Sequence, residues 1–176
     1  MLLLNKYLNL YTCPKQSFQI MKYLKKYTNE NDIICDCTSG IGGNCVNFCK
    51  YYNFVFAIDI EPECIPYLDY NLKHFDNKLI INGDSLDIIK IIKSDIFFFD
   101  PPWGGKDYKY LNKINLKLNG ILITTIIDNL YKHCKIIALK APNNFNFTLS
   151  KYWKIKEYNI YKIKNVVNFK LYIYYK

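Results

Sequence analysis

The chain has 176 residues, of which 51% are apolar and 17% aromatic. This length and composition suit one domain with a full core and exclude an intrinsically disordered chain. The formal net charge is +9, and every cationic side chain except the two histidines is a lysine, because the sequence contains no arginine. A basic excess of this kind favours a polyanionic partner such as RNA or DNA. No stretch approaches the ~20 apolar residues of a membrane span, so we expect no membrane partner.

The cysteine usage favours an intracellular, reducing compartment. Seven is an odd count, and no secretory signal peptide stands at the start of the chain, where Lys6 interrupts a short apolar run. We therefore expect the nucleus or cytoplasm, or the cytoplasm of a host cell if the protein is viral. The spacing of the cysteines and histidines matches no zinc site, so we expect no metal and interpret the thiols as small buried apolar groups. We also expect a monomer.

Helical and strand patterns alternate along the first hundred residues, which is typical of a parallel sheet with helices on both faces. The patterns predict helices over 14–27, 43–52, 62–75 and 84–93, and strands over 33–37, 54–60, 78–82 and 95–99. Pro14 and Pro62 stand where a first helical residue is expected. No linker or repeat interrupts the chain. We therefore predict one domain over 1–176, with 1–30 as a short helical lead-in.

The segment 121–140 allows two interpretations. Residues 121–127 are rich in β-branched side chains and locally resemble a strand. A second strand candidate follows at 135–140, and a parallel crossover needs about 10–12 residues, which 128–134 cannot supply. We therefore predict a buried crossover helix over 121–134 and the fifth strand over 135–140.

The tail predicts an antiparallel hairpin. Apolar and polar residues alternate over 153–163 and 166–174, and the two runs are joined near Lys164 and Asn165. Five α/β units followed by a hairpin predict an α/β fold with a doubly wound, mainly parallel, Rossmann-like sheet and an antiparallel edge.

An acid followed by glycines connects the first predicted strand to its helix, in the segment Asp36-Cys37-Thr38-Ser39-Gly40-Ile41-Gly42-Gly43-Asn44. Glycines allow a tight turn and bring backbone N–H groups against a ligand. The third glycine of the dinucleotide fingerprint is missing, and an acid before the turn would repel a pyrophosphate. A cationic cofactor fits better, and S-adenosylmethionine carries a sulfonium and an ammonium.

Two further acids follow the second and third strands. Asp59 ends the second strand, where a carboxylate can accept hydrogen bonds from both ribose hydroxyls. Asp84 follows the third strand, near the expected position of an adenine amine. One such acid is commonly a cap or a solvated loop residue, but three at successive strand ends predict an adenosine site. The predicted cofactor-binding residues are Asp36, Thr38, Gly40, Gly42, Gly43, Asn44, Asp59, Asp84, Ser85 and Asp100.

The fourth predicted strand runs into Asp100-Pro101-Pro102-Trp103-Gly104-Gly105-Lys106-Asp107-Tyr108. The prolines direct the chain out of the sheet, which places this segment past the carboxyl end of a strand, where ligands bind. A carboxylate and a proline carbonyl can accept hydrogen bonds from an exocyclic amine while an indole stacks on the ring. The alternative is a proline-rich loop with a core tryptophan. We predict Asp100, Pro101 and Trp103 as catalytic residues and Trp103, Lys106 and Tyr108 as substrate-binding residues.

Together these motifs resemble the trimethylguanosine synthases, a family of cap-specific guanine-N2 RNA methyltransferases. The segment 40–44 is similar to the family's G-x-G-G-N, and 101–108 is similar to its P-P-W-G-G-P-D-Y element. Residues 12–14 resemble the T-P element before the first helix, and 141–144 roughly resemble a later P-R-N turn. The resemblance covers about residues 10–176. It implies a class I methyltransferase domain, S-adenosylmethionine as cofactor and RNA with a 7-methylguanosine cap as partner.

Three positions depart from the family pattern. Asp100 stands where many members have serine, Lys106 replaces a proline, and Asn143 or Asn144 falls where an arginine helps to hold phosphates. The family also has a helical N-terminal extension that closes over the cap, and only about ten residues precede Thr12. The resemblance therefore supports the catalytic half more strongly than a cap-binding lid.

The resemblance implies that guanine N2 attacks the sulfonium methyl in line, without a metal, while Trp103 stacks on the positively charged 7-methylguanine. Two alternatives remain open. The D-P-P-W sequence also occurs in N6-adenine methyltransferases that act on DNA or RNA, and a non-catalytic cap-binding subunit can keep the same fold. A nicotinamide oxidoreductase fits least, because the third glycine and an obvious proton donor are missing.

Overall fold

A seven-stranded sheet organises the protein, of which the computed structural model describes residues 11–163 and 166–176. The strands in chain order are β1 (Ile33–Asp36), β2 (Phe54–Asp59), β3 (Lys78–Asn82), β4 (Ile96–Phe99), β5 (Lys117–Leu118), β6 (Ile121–Leu122), β7 (Ile136–Ala141), β8 (Lys154–Ile163) and β9 (Val166–Tyr175). The helices are α1 (Pro14–Leu24), α2 (Cys45–Cys49), α3 (Ile65–Leu72), α4 (Ser85–Ile88) and α5 (Ile123–Asn129). Strands β5 and β6 form a separate two-stranded sheet.

The order of strands across the large sheet is β3-β2-β1-β4-β7-β9-β8. Strands β3, β2, β1, β4 and β7 are parallel, whereas β9 runs antiparallel to β7 and β8 runs antiparallel to β9. The order reverses between β1 and β4, which creates a crevice at the carboxyl ends of these strands. The predicted fold class is confirmed, with a parallel sheet and an antiparallel edge.

The four helices predicted in the first hundred residues are all shorter than expected, and the predicted 14–27 becomes α1. The predicted 43–52 becomes α2, and the predicted 62–75 becomes a 3-10 turn over Pro62–Cys64 followed by α3. The predicted 84–93 is helical only over α4, and tight turns continue to residue 92. Three isoleucines lie in 89–92, and β-branched side chains lower helix propensity because they lose rotamer freedom against the preceding turn.

The crossover between β4 and β7 is helical, as predicted. Helix α5 lies in the predicted segment 121–134, and β7 pairs in parallel with β4. The first two residues of that segment instead form β6, which pairs with β5. Asn119 and Gly120 connect the two short strands with φ values of 47° and 79°. An Asn-Gly pair with positive φ at both positions is typical of a two-residue hairpin turn, and this signal was missed.

The C-terminal hairpin is confirmed, with β8 and β9 where the alternation predicts them. Its connection at Lys164 and Asn165 lies outside the described residues. Helix α1 packs on β8, and the Gln19 side chain binds the edge of that strand through both backbone groups of Tyr161, at 2.9 and 3.0 Å.

Two hydrophobic clusters cover the two faces of the sheet. The continuous apolar run of β4 contributes to both, because Phe98 points into one cluster and its neighbours Phe97 and Phe99 point into the other. Six of the seven cysteines are buried, as predicted, and none of the seven forms a disulfide within the described residues. Within 11–163 and 166–176, no helix has the length and apolar character needed to cross a bilayer.

Candidate active site

The carboxyl ends of β1, β2, β4 and β7 meet at one edge of the sheet, around the reversal of strand order. Four charged side chains lie there. Asp36 and Asp59 end β1 and β2, Asp100 directly follows β4, and Lys140 is the penultimate residue of β7. In the described part of the chain, no cluster of three or more His, Cys, Asp or Glu side chains is arranged to hold a metal ion.

The glycine-rich loop after β1 is held by backbone hydrogen bonds. The Ser39 N–H donates to the Ile58 carbonyl at 2.8 Å, and the Gly40 N–H donates to Asp59 Oδ2 at 2.5 Å. Gly42 has a φ of +89°, a conformation that favours glycine. At Gly43 a Cβ atom would lie 2.7 Å from the Thr12 carbonyl oxygen, so only glycine lets the segment before α1 pass this close.

Asp59 is held by the loops that follow β1 and β2. Its Oδ1 accepts a hydrogen bond from the Glu61 N–H at 2.9 Å, and its Oδ2 accepts one from Gly40. Burial raises the pKa of this carboxyl group, while the two backbone donors oppose that shift. Each carboxylate oxygen keeps a second acceptor site, so the side chain can still receive two ribose hydroxyls.

Asp36 is almost completely buried. The Cys45 thiol and the Thr38 N–H each donate to it at 3.2 Å. Its pKa is raised to about 7, chiefly by burial; the two hydrogen bonds oppose this shift, and the charges of Asp100 and Asp59 contribute to it. The three acids therefore interact electrostatically as members of one site.

Asp84, which follows β3, caps a helix. Asp84 stands at the N-cap of α4, where its Oδ1 accepts a hydrogen bond from the Leu86 N–H at 2.8 Å, and Ser85 is buried beside it. Between β3 and β2, the Asn82 side chain donates to the carbonyl of Asp59 at 2.9 Å. Asp84 therefore has a structural role, with its second oxygen carrying no hydrogen bond among the described residues.

Lys140 is the functional-site residue that the sequence analysis missed. Its ammonium group donates to Asp100 Oδ2 at 2.5 Å and to the Thr12 hydroxyl at 2.9 Å. The Asp100 N–H in turn donates to the Thr38 hydroxyl at 2.7 Å. Burial raises the pKa of Asp100, and the Lys140 charge lowers it without cancelling that effect. This ion pair joins β4, β7 and the segment before α1.

A signal for Lys140 is present in the sequence. Strand β7 is otherwise apolar, and residues 136–141 are all buried. Because side chains alternate across a strand, Lys140 lies on the same face as the core residues Ile136 and Ala138. A lysine at such a position is almost never fully buried unless it is paired, which indicates an acidic partner across the sheet.

Trp103 is half-buried and packs against both hydrophobic clusters. The rings of Tyr108 and Phe169 meet it edge-on, with centroid distances of 5.3 and 6.2 Å. The Lys140 ammonium lies over the indole, 5.4 Å from its centroid. The indole Nε1–H is buried and has no acceptor among the described residues. The structure therefore gives Trp103 both core contacts and a place in the charged site.

The loop after Trp103 is pinned by the turn that follows β7. The Asn144 side chain donates to the carbonyls of Tyr108 and Leu111 at 2.6 and 2.7 Å. Asn143 is exposed and contacts the Val167 carbonyl at 3.4 Å. Asn144 thus positions the loop that carries Tyr108, and the Lys106 side chain lies outside the described parts of the chain.

Pro101 and Asn44 are both buried at this edge of the sheet. The Asn44 amide donates to the Thr12 hydroxyl at 3.3 Å, and its Oδ1 has no hydrogen-bond partner within 11–163 and 166–176. Thr12 Oγ1 therefore accepts from both Asn44 and Lys140. An unpaired buried acceptor costs free energy, so Asn44 is suited to receive a donor from a bound ligand.

The residues present fit S-adenosylmethionine. The carboxyl groups of Asp59 and Asp100 lie close enough to raise the pKa of Asp36, and Lys140 neutralises only Asp100. A cationic ligand would relieve the repulsion among these acids, whereas a pyrophosphate would increase it. The unpaired Asn44 oxygen and the carboxylate of Asp59 add acceptors for ammonium and hydroxyl groups.

The sheet and its acidic switch point define a class I methyltransferase, a class of enzymes that use S-adenosylmethionine. The family model described as RNA cap guanine-N2 methyltransferase matches residues 31–175. The chain belongs to this family, which confirms the predicted resemblance.

The chain is also similar to two curated proteins. Uncharacterized protein L320 of Acanthamoeba polyphaga mimivirus is 34% identical over 137 residues, which cover 74% of this chain and 53% of that protein. Trimethylguanosine synthase of Schizosaccharomyces pombe (strain 972) is 35% identical over 123 residues, which cover 64% of this chain and 51% of that protein. The chain spans about half the length of these curated relatives.

Solved structures with little sequence identity share the fold. A conserved hypothetical protein of Streptococcus pyogenes aligns with a TM-score of 0.65 at 16% identity, covering 90% of this chain and 93% of that one. An rRNA methylase of Streptococcus thermophilus aligns with a TM-score of 0.60 at 13% identity, covering 90% and 94%. These similarities support the Rossmann-like methyltransferase fold.

Proposed function

We propose that the chain transfers a methyl group from S-adenosylmethionine to the exocyclic N2 of the 7-methylguanosine cap of RNA. The observation that carries the proposal is the position of Asp100, Pro101 and Trp103. They follow β4 directly and stand beside the acids of β1 and β2, so an acceptor amine and a cofactor can meet there. Family membership supports both the reaction and the substrate.

The cofactor would be held mainly by the first three strands. Asp59 would receive the ribose hydroxyls, and Asp84 would receive the adenine amine. The turn over 40–43 would present its backbone N–H groups, and Asp36 would favour the positive charges electrostatically. When bound, S-adenosylmethionine supplies an electrophilic methyl group on a sulfonium, and these residues orient it and exclude water.

Asp100 and Pro101 would align the acceptor amine. Lys140 occupies Asp100 Oδ2, which leaves Oδ1 and the Pro101 carbonyl as acceptors for the two N2 protons. Asp100 and Pro101 would thereby orient the N2 lone pair for the new N–C bond, and the bound cofactor would supply the methyl group and keep the electrons of the broken S–C bond on sulfur. The amine then loses one proton to water or to Asp100. Lys140 thus positions the carboxylate instead of touching the substrate.

Trp103 would select the methylated base. A 7-methylguanine ring carries a positive charge that the indole face attracts, a contact worth about 2 kcal/mol when desolvated. Because the Lys140 ammonium already lies over this indole, we expect the base to stack on the opposite face. The corresponding preference for 7-methyl-GTP over GTP is roughly thirtyfold.

N6-adenine methylation is the second candidate. One observation favours it, namely that an aspartate instead of the family's more common serine precedes the two prolines. An adenine amine could also donate to Asp100 Oδ1 and the Pro101 carbonyl. The acceptor would then be a flipped or unpaired adenine in DNA or RNA.

Transfer of tritium from labelled S-adenosylmethionine to 7-methyl-GTP, GTP and ATP tests the proposal. We expect 7-methyl-GTP to be preferred over GTP by roughly thirtyfold. We expect ATP to accept no label. Equal turnover of GTP and 7-methyl-GTP would exclude the cap assignment. Preferred labelling of ATP or of an adenine-containing oligonucleotide would favour the second candidate.

A further inference from the structure

A line of lysines runs along the outer side of α1 and continues onto β8. Lys15 and Lys22 are exposed on α1 and Lys26 is exposed in the turn directly after it, so the three occupy positions i, i+7 and i+11. At about 100° per residue these positions fall within about 40° of one another around the helix axis, so they form one stripe. Lys154 and Lys156 are exposed near the start of β8. We call these five residues the lysine band.

Aromatic contacts join the two parts of the lysine band. The Tyr23 ring of α1 stacks on the Tyr158 ring of β8 with a centroid distance of 4.1 Å. The Lys26 ammonium lies 5.2 and 5.3 Å from these two ring centroids. Lys156 and Lys154 precede Tyr158 by two and four residues, so they lie on the same face of β8. The band is therefore one continuous surface.

The charge of the lysine band is not neutralised locally. Helix α1 contains no acidic residue, and β8 contains only Glu157. Glu157 lies on the other face of the strand, where it pairs with Lys170 of β9 at 2.8 Å. Five lysines without interspersed acids create the positive potential that binds a phosphate backbone.

The lysine band begins at the candidate active site. Thr12, which receives the hydrogen bond from Lys140, precedes Lys15 by three residues. From Lys15 to Lys26 the helical rise covers about 16 Å, and the direction is away from the site. Strand β8 runs antiparallel to α1, since Tyr161 binds Gln19 and Tyr158 contacts Tyr23, so Lys156 and Lys154 extend the line further.

We infer that the lysine band binds the RNA chain that follows the cap, a step that rests on the proposed cap methylation. A base held at Trp103 would direct the transcript past Thr12 onto α1. Phe18 stands at the edge of the band with 68% of its surface exposed, where a base can stack on it. It is the only large apolar side chain on the outer side of α1, which is less than insertion into a lipid surface needs.

The test compares methyl transfer to 7-methyl-GTP with transfer to a capped, unstructured oligoribonucleotide of about eight nucleotides. One variant combines Lys15→Ala, Lys22→Ala and Lys26→Ala. A matched control combines Lys93→Ala, Lys117→Ala and Lys132→Ala, which removes the same charge from exposed positions beside the hydrophobic cluster on the other face of the sheet. Both triples are measured from low to high salt, and Phe18→Ala is measured beside them.

Three lost phosphate contacts on single-stranded RNA lower the slope of log affinity against log salt by about two. The ratio of the KM of the band triple to that of the wild type, measured with the capped oligonucleotide, should therefore be up to about 100-fold higher in 0.1 M salt than in 1 M salt. The band triple should leave KM for 7-methyl-GTP unchanged. The control triple should change neither KM by more than about threefold, and Phe18→Ala should raise KM for the oligonucleotide by about fivefold or more, independently of salt.

The outcomes separate this inference from the proposed function. If the wild type does not methylate 7-methyl-GTP, the proposed function fails. If it does, equal KM values for 7-methyl-GTP and the capped oligonucleotide overturn the band inference, as do equal losses in the two triples. Binding of the wild type but not the band triple to phosphatidylserine vesicles, with RNA kinetics unaltered, would instead assign the band to a membrane surface.

Discussion

The two halves of the site differ in what holds their acids in place. On the cofactor side, Asp36 and Asp59 accept hydrogen bonds from backbone N–H groups of the loops that follow β1 and β2. On the acceptor side, Asp100 is held by Lys140, forty residues away in the chain and one strand away in the sheet. A local motif can thus specify the first half, whereas the second half depends on a contact that only the folded sheet creates.

Substitution of Lys140 should have the largest effect on stability. It would show how far the acceptor half of the site depends on the Lys140–Asp100 ion pair. Lys140→Met leaves a buried carboxylate without its partner, so we expect the free energy of unfolding to fall by ~3–5 kcal/mol. Methyl transfer should be lost as well. Urea denaturation followed by circular dichroism measures the first effect.

The double variant Lys140→Met/Asp100→Asn is the control for that experiment. It removes the buried charge together with its partner, so stability should recover while methyl transfer does not. A single Lys140→Met variant as stable as the wild type would contradict the role of this ion pair.

Asp59→Ala tests the hydrogen bonds to the cofactor ribose. Two ribose hydrogen bonds to a charged acceptor are lost, so we expect S-adenosylmethionine binding to weaken by ~2–4 kcal/mol, with the fold retained. Asp59→Asn keeps one side-chain acceptor for the loop and should lose less. Isothermal titration with the cofactor measures both variants, and an unchanged affinity in Asp59→Ala would remove this residue from the site.

Trp103 tests whether the acceptor half has a structural as well as a chemical role. Because the ring is half-buried, we expect Trp103→Ala to cost ~1–3 kcal/mol of stability, less than a fully buried aromatic. Most methyl transfer should be lost, while Trp103→Phe should keep part of it. Melting curves measured beside the transfer assay distinguish a substrate-binding role from a purely structural one. A loss of ~3–5 kcal/mol of stability would identify a plain core residue.

The smallest expected effect concerns pH on the cofactor side. The folded pKa of Asp36 is raised to about 7, so the ionised form that favours a cation predominates only above that pH. S-adenosylmethionine affinity should fall by up to about tenfold per unit as pH decreases below 7. Asp36→Asn should abolish this dependence, and an identical pH profile in the variant would show that another group titrates.

The same raised pKa has a consequence for stability without cofactor. A carboxyl group with a folded pKa above its unfolded value binds its proton more tightly in the native state, so its contribution to stability is lost as pH rises from about 4 to about 7. Asp36→Asn lacks the buried charge and should therefore unfold at higher urea than the wild type at pH 8. The residue would then favour cofactor binding at the expense of the fold.

Much of the fold could be predicted because its signals are local. Strand β3 and both strands of the hairpin lie where period-two alternation or apolar runs place them, and Asp36 and Asp59 interact at the ends of β1 and β2. Helix ends were less predictable, because tertiary contacts decide how far a weakly helical segment continues.

The acceptor half could be predicted only in part. The sequence places Asp100 and Trp103 after β4, but it does not say which residue faces them across the sheet. Lys140 and Asn144 come from the neighbouring strand and its loop, and their partners lie far away in the chain. The buried lysine in β7 was the available signal, and its partner became identifiable only when the strand order was known.

The position of the transferred methyl group distinguishes guanine-N2 methylation from N6-adenine methylation and from a non-catalytic protein. A capped RNA methylated with labelled S-adenosylmethionine is digested to nucleosides, and the products are separated by chromatography against standards. We expect label in a guanosine that carries methyl groups at both N2 and N7. Label in N6-methyladenosine, or no transfer by a protein that binds the cofactor, would contradict this expectation.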